Sequence, residues 1–453
     1  MENFVQNVLE VADWALVRVT PGMEQRARRS LTLVQKEGSR NEPGKTLPQY
    51  RIDRNDPSVL WIPRGLIGNH PDTDSCIHSQ TAPLHPLMKI ESKLTSPRPG
   101  QQETISGFMT GLQTHRLGGI LQAVTGAGKT VMALDIIAKM NMRTLVIVPR
   151  SSLMKQWEDQ IIKWTNVKKH EIGIVQGPKC QYRDKKIVLA MIHTLAAKFN
   201  DFPPDFYRSF GTVAFDECHV VGAETFSKVA PLFWSRYRIG LTATPRRSDG
   251  MDPVFWWHLG PVLSRFTKLQ AKARVRILGY NGKDTSHAGM VWGGNLNLGR
   301  YFNRIAKSPE RMKLLHQVVK ALADKSHDVL VLADRISLLE NLKSMLIASG
   351  VQPSMIGMLT GSIKQLDRKV ILGTYGSAGM GVDIPRLTAL VMATPRAEIE
   401  QAVGRVLRQG DPLVIDIVDT ASSIMCGWAM SRKKFYTRIT DDIQDRVGLV
   451  RVR

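Results

Sequence analysis

The stretch Ala123-Val124-Thr125-Gly126-Ala127-Gly128-Lys129-Thr130 constrains this chain more than any other. The apolar run Gly119-Ile120-Leu121 leads into it, and the helix-forming run Val131-Met132-Ala133-Leu134-Asp135-Ile136-Ile137 leads out. Strand, glycine-bearing turn and helix, in that order, is the context of a loop that cradles phosphate. Gly126 and Gly128 let the backbone curl so that successive N–H groups face one anion. The helix that follows aims its positive end at the same point. In such a loop Lys129 reaches the outer phosphates and the Thr130 hydroxyl holds Mg²⁺. Ala123 stands where the strict pattern has its first glycine. The competing reading is a plain β–α turn with an exposed lysine, which Gly-Lys-Thr at this junction disfavours.

Charge points the same way. The 453 residues carry 62 Lys+Arg against 40 Asp+Glu, a net charge of +22. Residues 1–92 hold 11 of each, so the remaining 51 basic and 29 acidic residues account for the whole excess. That excess lies on the part that bears the loop, and a polyanion such as DNA or RNA is its natural partner. Cys76, Cys180, Cys218 and Cys426 lack the spacing of a zinc ribbon, an iron–sulfur cluster or a disulfide framework. The start, Met1-Glu2-Asn3-Phe4, is unlike a signal peptide, and no apolar run approaches a membrane span. A cytoplasmic protein with no membrane partner is expected, in the host cytoplasm if phage-encoded.

Strands and helices alternate after the loop. Leu145–Val148, Ile187–Ala190 and Thr212–Phe215 read as buried strands, and the helical run through Leu153, Gln156 and Trp157 follows Pro149-Arg150. This pattern implies an α/β fold with a parallel sheet and ligands at the strands' C-terminal ends. There the third strand presents Asp216-Glu217-Cys218-His219. An Asp so placed can hold Mg²⁺ beside Thr130, and the adjacent Glu217 can deprotonate an attacking water. Upstream, Gln101 in Pro97-Arg98-Pro99-Gly100-Gln101 can read adenine's amino edge, since an amide donates and accepts at once. Downstream, Thr242 and Thr244 can sense the state of a nucleotide.

The second half repeats the α/β pattern without a phosphate loop. Val329–Ala333, Val370–Thr374 and Ala389–Ala393 read as strands, and Gly376, Gly379, Gly381 and Asp383 follow the second of them. Gln401, Gly404, Arg405 and Arg408 are spaced to share one helix face. Two arginines there suit a γ-phosphate delivered from another domain. Residues 281–299, with five glycines, read as a flexible loop between the two halves.

From residue 97 to about 419 the chain resembles the superfamily 2 helicases, with motifs in family order. Arg98–Gln101 resembles the adenine-reading Q motif and Ala123–Thr130 motif I, which accepts Ala at its first position. Pro149-Arg150 with Gln156-Trp157 resembles motif Ia, and Thr194-Leu195 sits where motif Ib is expected. Asp216–His219 is similar to a DExH motif II and Thr242–Pro245 to motif III. Thr374, Gly379-Met380-Gly381 and Asp383 resemble motif V, and Gln401–Arg408 motif VI. Gly240–Pro245 followed by Arg247 and Asp249-Gly250 is similar to the XPB-like group, which includes phage helicases of the UvsW type.

The resemblance implies two RecA-like parallel-sheet domains in tandem, at 93–265 and 266–453; ahead of them the strand-like runs Ala15–Val19, Tyr50–Ile52 and Val59–Leu66 suggest a small β-rich accessory domain at 1–92. It implies ATP between the motor domains and Mg²⁺ on Thr130 and Asp216. Thr125, Gly126, Ala127, Gly128, Lys129, Thr130, Gln101, Gly381 and Asp383 would bind nucleotide. Glu217 would be the base, Lys129 would bind phosphate, Arg405 and Arg408 would be arginine fingers, and Gln401 and His219 would couple hydrolysis to closure. Arg150, Thr194, Thr242, Thr244 and Thr374 would contact nucleic acid or sense the nucleotide. The function implied is an ATP-dependent DNA helicase acting as a monomer on branched DNA. An RNA helicase, a non-catalytic annealing protein and a nuclease-linked motor are the alternatives; the last would use Asp72, Glu91 and Lys93, whose spacing fits a metal-dependent nuclease only loosely.

Overall fold

The structure is a computed structural model that describes residues 8–11, 15–18, 23–34, 46–53, 55–67, 88–124, 126–219, 223–243, 250–266, 273–292, 295–361, 363–379, 384, 386–397, 399, 402–404 and 411–445. The chain divides into two compact units, Met1–Thr267 and Lys268–Arg453.

An eight-stranded sheet organises the first unit. Its strands are β1 (Gly118–Ala123), β2 (Thr144–Val148), β3 (Ile172–Gln176), β4 (Lys179–Cys180), β5 (Ile187–Met191), β6 (Thr212–Asp216), β7 (Tyr237–Thr242) and β8 (Val262–Phe266). Their order is β4-β3-β5-β2-β6-β7-β1-β8, and every pairing is parallel except that of β4 with β3. Continuous apolar runs such as Leu145-Val146-Ile147-Val148 are wholly buried because both faces of the sheet are covered. One face packs against α1 (Gln101–Thr114), α2 (Lys129–Met140) and α3 (Ser151–Trp164) through Phe108, Met132, Ile136, Trp157 and Ile161. An aromatic cluster that includes Phe206, Phe210, Phe226 and Phe233 covers the other. Asp216 pairs in register with Leu241, and Leu241 with Leu121, so β6, β7 and β1 end at one height.

The N-terminal region is β-rich as expected. Val8–Val11, Ala15–Arg18, Val59–Ile62 and Arg51–Ile52 form an antiparallel sheet, and Thr32–Val34 pairs with Thr46–Pro48. This region is joined tightly to the part of the first unit that carries the eight-stranded sheet. The Arg64 side chain is 1% exposed; it donates to Ser235 O and Arg236 O, each at 2.6 Å, just before β7. Gly65 is required by close approach, since a Cβ there would lie 2.6 Å from Trp257 O. Met88–Lys93 also packs with the eight-stranded sheet's helices: the amide of Ile90 donates to Asn141 Oδ1 and that of Lys93 to Trp164 O.

The second unit is built on an all-parallel seven-stranded sheet. Its strands are β9 (Arg274–Tyr280), β10 (Val329–Ala333), β11 (Ile356–Leu359), β12 (Val370–Thr374), β13 (Ala389–Met392), β14 (Leu413–Asp419) and β15 (Ile443–Asp445), in the order β11-β12-β10-β13-β14-β9-β15. Residues 281–299 are not a connector between the units: they follow β9 and lie inside the second unit. Met290 and Leu296 pack with Tyr301, Phe302, Ile305 and Met425, and the Tyr301 hydroxyl donates to Thr285 O at 3.1 Å. The glycines suggested a breaker, but the apolar residues between them supply a local core. Among the described residues, no helix is long and apolar enough to cross a membrane.

Candidate active site

The phosphate-loop stretch lies at the C-terminal end of β1 and turns directly into α2. Gly126 (φ 88°) and Gly128 (φ 83°) adopt left-handed backbone that side chains rarely allow. Lys129 and Thr130 open α2, at its positive end. The Lys129 ammonium lies 2.5 Å from Glu217 Oε1 and 3.5 Å from Asp216 Oδ1. Burial alone would pull its pKa down. The two carboxylates outweigh that effect and push it up to about 12, so the lysine stays charged. Burial pushes the Asp216 carboxyl up, against the pull of Lys129. It also pushes the neighbouring Cys218 thiol up, which leaves that cysteine unreactive.

Two features set Glu217 apart. Its φ is 47°, a conformation that costs a side-chain-bearing residue about 1–2 kcal/mol. Its amide donates to Asp216 Oδ1 at 2.9 Å, which ties the two carboxylates together. Its Oε1 is taken by Lys129, while its buried Oε2 accepts no hydrogen bond among the described residues. His219 Nδ1 lies 3.5 Å from that oxygen and shares a 2.7 Å hydrogen bond with Thr242 Oγ1 on β7. The ends of β6 and β7 are thereby connected through one imidazole.

Gln101 lies directly behind the phosphate loop. It is 2% exposed; its Nε2 donates to Ala127 O at 2.7 Å and its Oε1 accepts from the Arg98 amide at 2.8 Å. A Cβ on Gly128 would lie 2.4 Å from the same Nε2. With one bond at each end of the amide, Gln101 braces the loop from behind.

The other expected site residues are dispersed. Arg150 is exposed at the start of α3. Thr194 Oγ1 accepts from the Gly177 amide, and Thr374 Oγ1 donates to Ser377 Oγ at 2.9 Å while accepting from its amide, which caps the helix Tyr375–Gly379. Gly404 is buried in a helical stretch with Ala402 and Val403. Thr125, Thr244, Gly381, Asp383, Gln401, Arg405 and Arg408 lie outside the described residues, as does Asp72. Glu91 and Lys93 are exposed, and their backbone amides tie the chain to Asn166 and Trp164.

Trp157, which the sequence places in the motif Ia resemblance, makes a contact that the motif does not reveal. The Trp157 indole donates to Asp216 Oδ2 at 2.8 Å from the interior of α3. In sequence it reads as one apolar residue of a helical stripe.

The Thr130 hydroxyl and Asp216 carboxylate are hard oxygen donors. They fit Mg²⁺, which takes few protein ligands when phosphate oxygens complete its shell.

Comparison with known proteins shows what this site is similar to. Residues 94–247 match the family described as "Type III restriction enzyme, res subunit". A protein of Acanthamoeba polyphaga mimivirus, provisionally named ATP-dependent RNA helicase L396, is 29% identical over 372 residues, covering 77% of this chain and 69% of that protein. Among solved structures, Saccharomyces cerevisiae Dbp5 bound to RNA and ADP BeF3 superposes with a TM-score of 0.53 at 12% identity, covering 78% of this chain and 91% of that one. Mycobacterium smegmatis helicase Lhr bound to ssDNA and AMP-PNP gives 0.51 at 16% identity, covering 78% and 49%. The paired parallel sheets are thus the tandem RecA-like fold. The family match over residues 94–247 and the motifs in family order make this chain similar to the superfamily 2 helicases.

Proposed function

We propose that the chain is an ATP-driven DNA motor that remodels branched DNA such as forks, junctions and displacement loops. The observation that carries the ATPase part is the clamp of Lys129 on Glu217 and Asp216 at the head of α2. Lys129 and Glu217 neutralise each other there. An arriving triphosphate competes for the ammonium, and Lys129 moves its charge from Glu217 to the phosphate oxygens. Glu217, released, orients a water and takes its proton. The water oxygen bonds to the γ-phosphorus as the bond to the β–γ bridging oxygen breaks, and ADP leaves with the electron pair. The phosphate-loop amides and the helix end stabilise the charge that develops. Thr130 and Asp216 would hold Mg²⁺, whose charge offsets that of the leaving phosphate.

The remaining roles rest on the family resemblance. Arg405 and Arg408 act as arginine fingers from the second domain, and Gln401 supports them. Gly381 and Asp383 border the nucleotide, and Thr125 lies in its loop. His219, Thr242 and Thr244 couple the nucleotide's state to the strand held through Arg150, Thr194 and Thr374. In the XPB-like and UvsW-type reading, that strand is DNA.

The whole +22 charge lies on residues 93–453, so phosphate contacts supply most of the affinity and weaken steeply with salt. RNA is the second reading, favoured by the name of the mimivirus relative. One panel decides: ATPase and strand displacement measured with single-stranded DNA, blunt duplex, fork, four-way junction and RNA duplex. We expect stimulation by single strands and displacement on forks and junctions. Stimulation by RNA alone overturns the DNA assignment, and no ATP hydrolysis with any substrate overturns the motor.

A further inference from the structure

The buried hydrogen bond between Trp157 and Asp216 has a consequence for the proposed reaction. Trp157 is 1% exposed and packs in the core between α3 and the sheet. Shape alone would be served there by any large apolar ring. A buried indole, however, needs an acceptor for its N–H. Trp157 directs that N–H to Asp216 Oδ2 at 2.8 Å.

The geometry of the carboxylate explains why this contact matters. The torsion that turns an Asp carboxylate about its own axis is broad, with no sharp preferred value. Asp216 is fixed by donors on both oxygens, the Glu217 amide on Oδ1 and the indole on Oδ2, with the Lys129 ammonium paired to Oδ1 at 3.5 Å. Lys129 is the donor that a phosphate would draw away. The indole then becomes the main side-chain restraint on the carboxylate plane. It also belongs to α3, which starts after the exposed Arg150, seven residues earlier and about 10 Å away along the same helix.

We propose that Trp157 is a positioning residue: its indole N–H sets the plane of the Asp216 carboxylate for the metal that accompanies ATP. This rests on the reading of Asp216 as the metal-holding carboxylate. A hydrogen bond to a charged acceptor is strong enough for its loss to weaken metal binding by about tenfold or more.

The test removes the N–H and keeps the ring. Full-length protein carrying β-(3-benzothienyl)alanine at position 157 has sulfur in place of the indole N–H, and Trp157→Phe serves as a second variant. Mn²⁺ affinity is read by electron paramagnetic resonance with ADP present, so no turnover is needed. Thermal melting and the split between kcat and KM are read in parallel. We expect Mn²⁺ affinity and kcat to fall about tenfold or more in both variants, with KM for ATP within about threefold and the benzothienyl variant melting as the unmodified protein does. Mn²⁺ affinity within twofold of the unmodified protein overturns the proposal. So does a lowered melting temperature with unchanged Mn²⁺ affinity, which marks the bond as structural. If the unmodified protein binds Mn²⁺ no better with ADP than ADP does alone, the metal assignment of Asp216 fails instead, a result the variants cannot mimic.

Discussion

Lys129 with Asp216 and Glu217 in the first unit, and Arg432 with Asp416 in the second, both set a cation against carboxylates with little solvent. The second pair is closed. Arg432 grips Asp416 with two nitrogens, Nε to Oδ2 at 2.8 Å and Nη2 to Oδ1 at 3.0 Å. Its Nη1 donates to Arg396 O, and the Tyr436 hydroxyl adds a further bond to Oδ2. Side-chain exposures are 1% and 2%. The first cluster is open by contrast: one ammonium serves two carboxylates, Glu217 keeps an oxygen without a donor, and its backbone is held in a left-handed conformation. A bidentate, fully matched pair cannot release its cation without stranding a charge, so it serves to hold helix Ser423–Ile439 on β14. A monodentate pair on a strained residue can exchange partners when a better anion arrives. The difference separates a structural ion pair from one suited to turnover.

Glu217→Gln tests the open side and should have the largest effect. Loss of the base is expected to cut ATP turnover by about 10²–10⁴-fold. The fold should be unharmed, since the amide keeps the shape and Asp216 still pairs with the Lys129 ammonium. A turnover assay at saturating ATP, paired with a thermal melt, checks both halves. Near-normal hydrolysis would remove Glu217 as the base and erase the contrast between the clusters.

Arg432→Ala tests the closed side. Stranding Asp416 in the core should cost the second unit about 3–5 kcal/mol, read by urea unfolding. Replacing both partners, Arg432→Met with Asp416→Leu, should recover most of that loss, because the pair's own net contribution is small. A single variant that unfolds like the parent protein would mean that the pair is not closed in solution.

Much of this was legible in the sequence, for identifiable reasons. Buried parallel strands appear as continuous apolar runs, so Leu145–Val148 and Val329–Ala333 were readable by eye. Gly126 and Gly128 signalled left-handed backbone, and Asp216-Glu217 at a strand end signalled a site. What stayed hidden depends on contacts between residues distant in the chain. Trp157 and Asp216 are 59 residues apart, and nothing local marks an indole whose N–H finds a carboxylate. Gln101 was correctly singled out near the loop, but only the fold shows its amide used on Ala127 O and the Arg98 amide. Arg64 read as part of a short strand in a separate module; its guanidinium instead bridges 171 residues to Ser235 O. Residues 281–299 misled because glycine count outweighed Met290 and Leu296 in the reading.

The joint between the N-terminal region and the motor adds a third kind of buried polar contact, and it should carry the smallest effect. His258, 1% exposed on helix Pro253–Leu259, shares a 3.0 Å hydrogen bond with Gln49 Oε1; because an amide oxygen only accepts, Nε2 carries the proton. Burial, reinforced by Arg238 and Arg51, holds this imidazole well below its usual pKa of 6.5. His115, whose Nδ1 lies 3.1 Å from Gly118 O, is also lowered by burial. The folded state therefore keeps both rings neutral, while the unfolded chain binds protons below about pH 6.5. The unfolded state then holds more protons, so stability is full at pH 7 and above and is lost as the pH falls through 6.5. Each ring contributes a slope of up to about 1.4 kcal/mol per pH unit. Urea unfolding of the first unit at pH 7.0, 6.0 and 5.0 should show this decline, and His258→Gln, with no titrating ring, should show a shallower one. Equal slopes in the two proteins would mean that His258 is protonated or solvated in the folded state, and that this joint is as open as the Lys129 cluster.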